Sequence, residues 1–210
     1  MVSQSLEIEL PGVHLPGDLQ LPAKAKGLII FSHGSGSSRM SQRNRQVAGY
    51  LNGQGMGTLL FDLLTEEEDH YQENRFDIPR ISRRLVSATE WVKAQSLLDK
   101  LPIGYFGAST GAASALYAAA HFGDEIKAIV CRGGRPDLAL QVLPQVVSPT
   151  LLIVGGHDEP VLRMNRRALQ LLRCPRELKI IHGATHLFEE TGKLDEVARE
   201  AGQWYEKYLR

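Results

Sequence analysis

One pentapeptide in the middle of the chain, Gly107-Ala108-Ser109-Thr110-Gly111, places a serine between two glycines. An apolar run, 101–106, precedes it and an alanine-rich segment, 112–122, follows it, which predicts a strand, a sharp turn and a helix with Ser109 at the apex. A serine at such a turn holds a strained backbone angle, and flanking glycines remove side chains that would collide there. The pattern favours Ser109 as a nucleophile, although an ordinary strand-to-helix turn uses the same residue types.

Two further residues with suitable chemistry also follow predicted strands. Asp158 comes after the apolar run 150–154, and His186 comes after the strand-like segment 177–181. A serine hydroxyl becomes a good nucleophile when a base takes its proton, and a histidine serves as that base when an acid fixes its tautomer. Because ligands of parallel sheets bind beyond the carboxyl ends of the strands, Ser109, Asp158 and His186 are predicted to form a catalytic triad.

Two of these residues also have simpler interpretations. Asp158 could cap the helix that follows it, in which case Glu159 would be the acid, and His186 could be a core histidine. His182 and His186 have the spacing of a helical metal pair, but Gly183 and the end of a strand do not fit that geometry. No metal or cofactor site is predicted.

A triad of this kind also needs an oxyanion hole. The backbone N–H of Thr110, the residue after the nucleophile, is one predicted donor. The second is expected from the loop after an early strand, where we predict the N–H of Ser35, with Gly36 as the alternative. His33 is interpreted as shaping this loop.

The predicted strand 126–131 ends in Cys131 and is followed by Arg132. Cys131 is interpreted as a small buried residue. Arg132 either faces the pocket and favours an anionic group on the substrate, or lies on the surface and pairs with Asp137. Three other arginines are interpreted as part of a solvated helix face: Arg39, Arg43 and Arg45.

Composition and charge describe an ordinary soluble chain. Its 210 residues are 43% hydrophobic and 23% charged, which is enough for one core, so 1–210 is expected to be a single domain. The 24 basic and 24 acidic residues balance, which gives no electrostatic support for binding nucleic acid.

Residues 1–10 lack the pattern of a signal peptide and no apolar run is long enough to span a membrane, so a cytoplasmic location is expected. Cys131 and Cys174 are not expected to form a disulfide.

Strands alternate with helices along the chain, which predicts an α/β protein. A hairpin, 5–10 and 13–21, should open a mostly parallel sheet that is covered by helices on both faces. The acidic stretch 64–74 is predicted to be a solvated, mobile loop, and no long insertion after Cys131 could form a large lid. The remaining predicted strands are 27–31, 58–61, 101–106, 126–131, 150–154 and 177–181, and the predicted helices are 41–54, 77–95, 112–122, 137–143, 161–172 and 194–209.

Together the motifs resemble the dienelactone hydrolase-like branch of the α/β-hydrolases, in a subgroup with a serine nucleophile that is also found fused to phosphoribosyltransferase domains. This resemblance covers nearly the whole chain and implies the α/β-hydrolase fold and the Ser-Asp-His triad. Its motifs are Phe31 to Ser38, Leu60 to Thr65, Gly104 to Ala112, Arg132 to Leu138 and Gly183 to Glu190.

Three positions depart from the dienelactone hydrolases proper. Those enzymes use a cysteine nucleophile where this chain has Ser109, and they carry a glutamate in the oxyanion loop. They also bind the substrate carboxylate with an arginine at the position of Glu190. The resemblance thus implies a serine hydrolase rather than a dienelactone hydrolase.

The favoured hypothesis is a carboxylesterase-like serine hydrolase that cleaves an ester of a small soluble substrate through an acyl-enzyme on Ser109. One alternative is an interaction module that keeps the fold with little turnover. Another is an acyltransferase, thioesterase or peptidase, because such enzymes share the first half-reaction.

Overall fold

A single eight-stranded sheet forms the centre of the computed structural model, which describes residues 2–210. Its strands are β1 Val2–Leu10, β2 Val13–Leu21, β3 Leu28–Ser32, β4 Gly57–Phe61, β5 Ile103–Ala108, β6 Ile126–Arg132, β7 Thr150–Gly155 and β8 Arg176–Ile181. They lie in the order β1-β2-β4-β3-β5-β6-β7-β8. From β4 to β8 every neighbouring pair is parallel, whereas β1 pairs antiparallel with β2 and β2 with β4. The mixed sheet with an antiparallel amino-terminal hairpin is as predicted.

The central strands are buried because helices cover both faces of the sheet. Every residue of β3, β4, β5 and β7 is buried, which explains their continuous apolar sequences. The long helices are α1 Gln42–Gly53, α4 Ile78–Ala94, α5 Thr110–Phe122, α6 Glu159–Leu171 and α7 Lys193–Tyr208. Core residues of α1 and α7 pack together on one face, and those of α4 and α5 pack on the other. None of the helices in residues 2–210 is long and apolar enough to cross a bilayer.

The prediction of a loop over 64–74 was wrong. This segment contains two single-turn helices, α2 Glu66–Asp69 and α3 Gln72–Arg75. A reciprocal capping box joins Thr65 and Glu68, and Glu68 also accepts a hydrogen bond from Arg84 at 2.8 Å. Arg75 holds Asp69 through both carboxylate oxygens, so the acidic side chains order the segment instead of only solvating it.

The connection between β6 and β7 also differs in detail from its prediction. Two short 3-10 turns, Pro136–Ala139 and Leu143–Gln145, replace the single helix expected over 137–143. A proline lies at the start of each turn. Its ring fixes φ at a value that suits a first helical turn, but proline has no backbone N–H to donate a hydrogen bond. This connection forms no large lid.

Candidate active site

Ser109 lies at the turn between β5 and α5 in a conformation that non-glycine residues rarely adopt. Its φ is 52° and its ψ is −121°, outside the α, β and left-handed regions. The two flanking glycines are required by close backbone contacts. A Cβ at Gly107 would lie 2.5 Å from Ala112 Cα, and one at Gly111 would lie 2.1 Å from Ser32 O. The glycines let α5 start against the end of β3, with Ser109 at the apex.

Backbone hydrogen bonds hold Ser109 in this strained geometry. Its N–H donates to Arg132 O at 3.2 Å, and its carbonyl accepts the N–H groups of Ala112 and Arg135 at 3.1 and 3.0 Å. Strain of this kind costs about 1–3 kcal/mol and persists only where the surroundings impose it. Here the end of β6 and the loop after it impose the strain. Sequence reasoning missed these contacts because no local pattern indicates them.

Asp158 and His186 are brought together at the ends of β7 and β8. His186 Nδ1 lies 2.6 Å from Asp158 Oδ2, and the aspartate side chain is 11% exposed. Asp158 occupies the cap position of α6 but makes no side-chain cap hydrogen bond, so capping is not its role. The alternative acid, Glu159, is exposed and pairs with Arg163 at 3.5 Å.

Loops from several strand ends converge on Ser109 and His186. A Cβ at Gly133 would lie 3.3 Å from His186 Cε1, so the imidazole packs against the loop whose Arg135 N–H donates to the Ser109 carbonyl. A Cβ at Gly34 would lie 3.0 Å from Ser109 Cβ. Within residues 2–210, neither Ser109 Oγ nor His186 Nε2 makes a hydrogen bond, so the Ser109–His186 hydrogen bond expected of the triad is not formed in this structure.

The loop after β3 is fixed by His33. Its Nδ1 lies 3.0 Å from Gly34 O, and its Nε2 lies 3.0 Å from the N–H of Leu63. Burial lowers the pKa of His33, so the neutral ring donates from Nδ1 and accepts at Nε2. This is the loop-shaping role expected from the sequence.

The N–H of Ser35 donates to Thr110 Oγ1 at 2.8 Å. In this structure the Ser35 N–H, predicted as the second oxyanion donor, is therefore bound by the side chain of Thr110, the residue predicted to supply the first. Gly36, the alternative, has a φ of 68° that favours glycine.

Arg132 is buried, with 7% exposure, and does not pair with Asp137. The surface alternative was therefore wrong: Asp137 binds Arg135 at 2.8 Å. The Arg132 guanidinium donates to Asn44 Oδ1 at 3.4 Å, and its buried Nε has no hydrogen-bond partner in the part of the chain that the structure describes. Burial, followed by the nearby charge of Arg43, lowers the pKa of Arg132 to about 10.

The other three arginines do not form one solvated face. Arg39 lies before α1, half-buried, and bonds Asp62 at 2.6 Å, tying the loop after β3 to the end of β4. Arg43 and Arg45 do lie on α1, and they pair with Glu189 at 3.0 Å and Asp18 at 2.9 Å.

Neither cysteine offers a second nucleophile. Burial raises the pKa of the Cys131 thiol to about 12, which keeps it protonated, and Cys174 is also buried and free. Among residues 2–210, no three His, Cys, Asp or Glu side chains are grouped as a metal site requires.

The sheet order, the strained serine after β5 and the paired residues after β7 and β8 define the α/β-hydrolase fold. More narrowly, the chain belongs to the dienelactone hydrolase family, whose profile matches residues 16–209. The resemblance inferred from the sequence is confirmed.

Solved structures support this assignment. The chain is similar to a dienelactone hydrolase from Anabaena variabilis, with 48% identity, a TM-score of 0.97 and coverage of 100% of this chain and 99% of the other. Est1E from Butyrivibrio proteoclasticus shares the fold at 17% identity, with a TM-score of 0.83 and coverage of 97% and 98%.

Curated relatives are longer than this chain. Two proteins of Mycobacterium tuberculosis named as phosphoribosyl transferases are 49% identical over 206 residues, which is 98% of this chain but 46% of each relative. The chain thus spans about half the length of these relatives.

Proposed function

We propose that this protein is a serine hydrolase that cleaves an ester of a small soluble substrate through an acyl-enzyme on Ser109. Two observations support the proposal: the strained backbone of Ser109, and the Asp158–His186 pair, whose Oδ2 and Nδ1 atoms lie 2.6 Å apart. The loop after β6 contacts both, because Gly133 packs against His186 and the Arg135 N–H donates to the Ser109 carbonyl. Family membership adds that related proteins are hydrolases.

In the first half-reaction Ser109 Oγ attacks the carbonyl carbon while His186 Nε2 takes its proton. Asp158 accepts the Nδ1–H of His186, which fixes the tautomer and stabilises the imidazolium. The oxyanion is bound by the N–H groups of Thr110 and Ser35 as its negative charge develops. Because the Ser35 N–H also donates to Thr110 Oγ1, its proton is shared between the two acceptors in a three-centre hydrogen bond. His186 then returns the proton to the leaving alcohol, and the acyl group stays on Ser109.

In the second half-reaction water attacks the acyl-enzyme, with His186 again as the base. The oxyanion hole acts a second time, and the acid leaves with Ser109 restored. No cofactor takes part in this scheme.

The test is labelling with a fluorophosphonate probe, together with turnover of short p-nitrophenyl esters. We expect the wild type to be labelled and Ser109→Ala to be unlabelled. Labelling that survives the substitution would remove Ser109 from the nucleophile role.

The role of Asp158 is tested by Asp158→Asn, with Glu159→Gln as the matched control. An amide at 158 favours the wrong imidazole tautomer, and in a serine protease this change lowered turnover by about 10⁴-fold. We expect a loss of that order for Asp158→Asn and little effect for Glu159→Gln. The reverse pattern would assign the acid to Glu159.

We also propose that Arg132 favours an anionic group on the substrate. Among residues 2–210 its guanidinium has no carboxylate partner and its Nε has no hydrogen-bond acceptor, which indicates unused binding capacity. Arg132→Met should lower kcat/KM for a p-nitrophenyl hemisuccinate more than for p-nitrophenyl butyrate, whereas Arg45→Met, on the exposed side of α1, should affect neither. Equal losses for the two esters would remove Arg132 from the pocket.

A second candidate function comes from the length of the Mycobacterium relatives. Residues 1–210, which we propose fold as one domain, would then be an interaction module that operates beside a phosphoribosyl transferase unit. Absence of both probe labelling and ester turnover would favour this function over the hydrolase.

A further inference from the structure

The hydroxyl of Thr110 lies between the two groups proposed to bind the oxyanion. Thr110 is the first residue of α5 and is 2% exposed. Its Oγ1 accepts the N–H of Ser35 at 2.8 Å. The side-chain oxygen of Thr110, one proposed donor, therefore lies within hydrogen-bond distance of the backbone nitrogen of Ser35, the other proposed donor.

This hydroxyl still has a proton to donate. A threonine hydroxyl is one donor as well as an acceptor, and Ser35 uses only the accepting side. Among residues 2–210 the Thr110 hydroxyl donates to no acceptor, and its burial limits access to bulk water. Buried polar groups normally have partners, so this unused donor, directly after Ser109, indicates a ligand atom that accepts a hydrogen bond.

We propose that the Thr110 hydroxyl is a third oxyanion donor, an inference that rests on the proposed function. The Ser35 N–H holds the hydroxyl oxygen and polarises it, which strengthens the hydrogen bond that its proton makes. No bond to Thr110 forms or breaks. Its proton stays on Oγ1, binds the carbonyl oxygen as that oxygen gains charge, and binds it less strongly when the carbonyl re-forms.

Three substitutions separate the hydroxyl from the shape of the side chain. Thr110→Val keeps the branched shape and removes the hydroxyl, so that a methyl group replaces the oxygen that accepts the Ser35 N–H. Thr110→Ser keeps the hydroxyl. The matched control is Thr89→Val on α4, where an equally buried hydroxyl bonds Leu85 O and Tyr105 Oη, each at 2.8 Å.

The readouts are the rate of fluorophosphonate labelling, kcat for p-nitrophenyl acetate, and inhibition by a small boronic acid. All three involve a tetrahedral adduct on Ser109. Loss of one oxyanion donor costs on the order of 100-fold, so we expect Thr110→Val to lower both rates and the boronate affinity by about that factor. Thr110→Ser should retain most of the activity. Thr89→Val should melt at a lower temperature with unchanged rates.

Wild-type rates in Thr110→Val would overturn the inference without affecting the proposed function. Faster rates would do the same, because they would mean that the hydroxyl blocks the Ser35 N–H. A parallel loss in Thr110→Val and Thr89→Val would also overturn it, because the effect would then be structural. Absence of labelling in the wild type would overturn the proposed function, and this inference with it.

Discussion

Replacing Ser109 with glycine should stabilise the fold while abolishing activity. Ser109 holds a φ of 52° and a ψ of −121°, which glycine adopts without a Cβ clash. The strain is about 2 kcal/mol, taken from the 1–3 kcal/mol typical of such residues. Glycine's greater freedom in the unfolded chain removes about 1 kcal/mol of this gain. The net expectation is about 1 kcal/mol, or a rise in Tm of roughly 3 °C for a chain of this size.

The comparison variant is Ser109→Ala, because it also lacks the hydroxyl but keeps the Cβ. Urea denaturation, with a thermal melt as a second measurement, gives the difference in unfolding free energy between the two variants. A glycine variant no more stable than the alanine variant would refute the claim that backbone strain is stored at the apex.

Three further predictions concern the surroundings of the site. Gly111→Ala should destabilise the fold by about 3 kcal/mol in urea denaturation, because the added Cβ would clash with backbone atoms. Gly49→Ala on α1 should stabilise the fold by up to about 1 kcal/mol, because its added Cβ would have no described atom within 4 Å. Glu68→Ala should speed hydrogen exchange of the segment 65–76 by removing its cap and ion pairs, and Glu67→Ala should not. Burial lowers the pKa of His33 below 6.5, so on acidification the ring takes up a proton in the unfolded chain before it does in the folded protein. The free energy of unfolding should therefore fall as the pH drops below about 6.5, and it should fall less in His33→Gln.

These three would fail in recognisable ways. Equal effects of the two glycine substitutions would contradict the close approach of α5 to β3. Unchanged exchange in Glu68→Ala would mean that α2 and α3 are held by other contacts. The same acid slope with and without His33 would show that folding does not lower the pKa of its ring.

The sequence predicted the sheet and its strand ends well because buried parallel strands are continuous apolar runs of recognisable length. Those strand ends placed Ser109, Asp158 and His186 at one edge, as the order of the sheet requires. One local signal was missed: Thr65 and Glu68 have the spacing of a capping box, which predicts a helix start within the acidic stretch.

Other features could not be predicted because they join residues far apart in the chain. The Ser35–Thr110 hydrogen bond links loops 75 residues apart. The contact of Arg132 with Asn44 joins residues 88 positions apart, whereas the Arg135–Asp137 pair, two residues apart, could have been predicted from the sequence. The spacing of apolar residues in the sequence indicates which face of a helix or strand is buried. Contacts between distant side chains depend instead on the directions in which those side chains point once the elements have packed.

The central claim is that Ser109 carries the acyl group between the two half-reactions. Rapid quenching of the protein with p-nitrophenyl acetate, followed by mass spectrometry of its peptides, tests this directly. We predict an acetyl adduct on Ser109 that forms with the burst of p-nitrophenol and accumulates longer in Asp158→Asn. Ester turnover with no adduct on Ser109, or an equal adduct and burst in Ser109→Ala, would contradict the account.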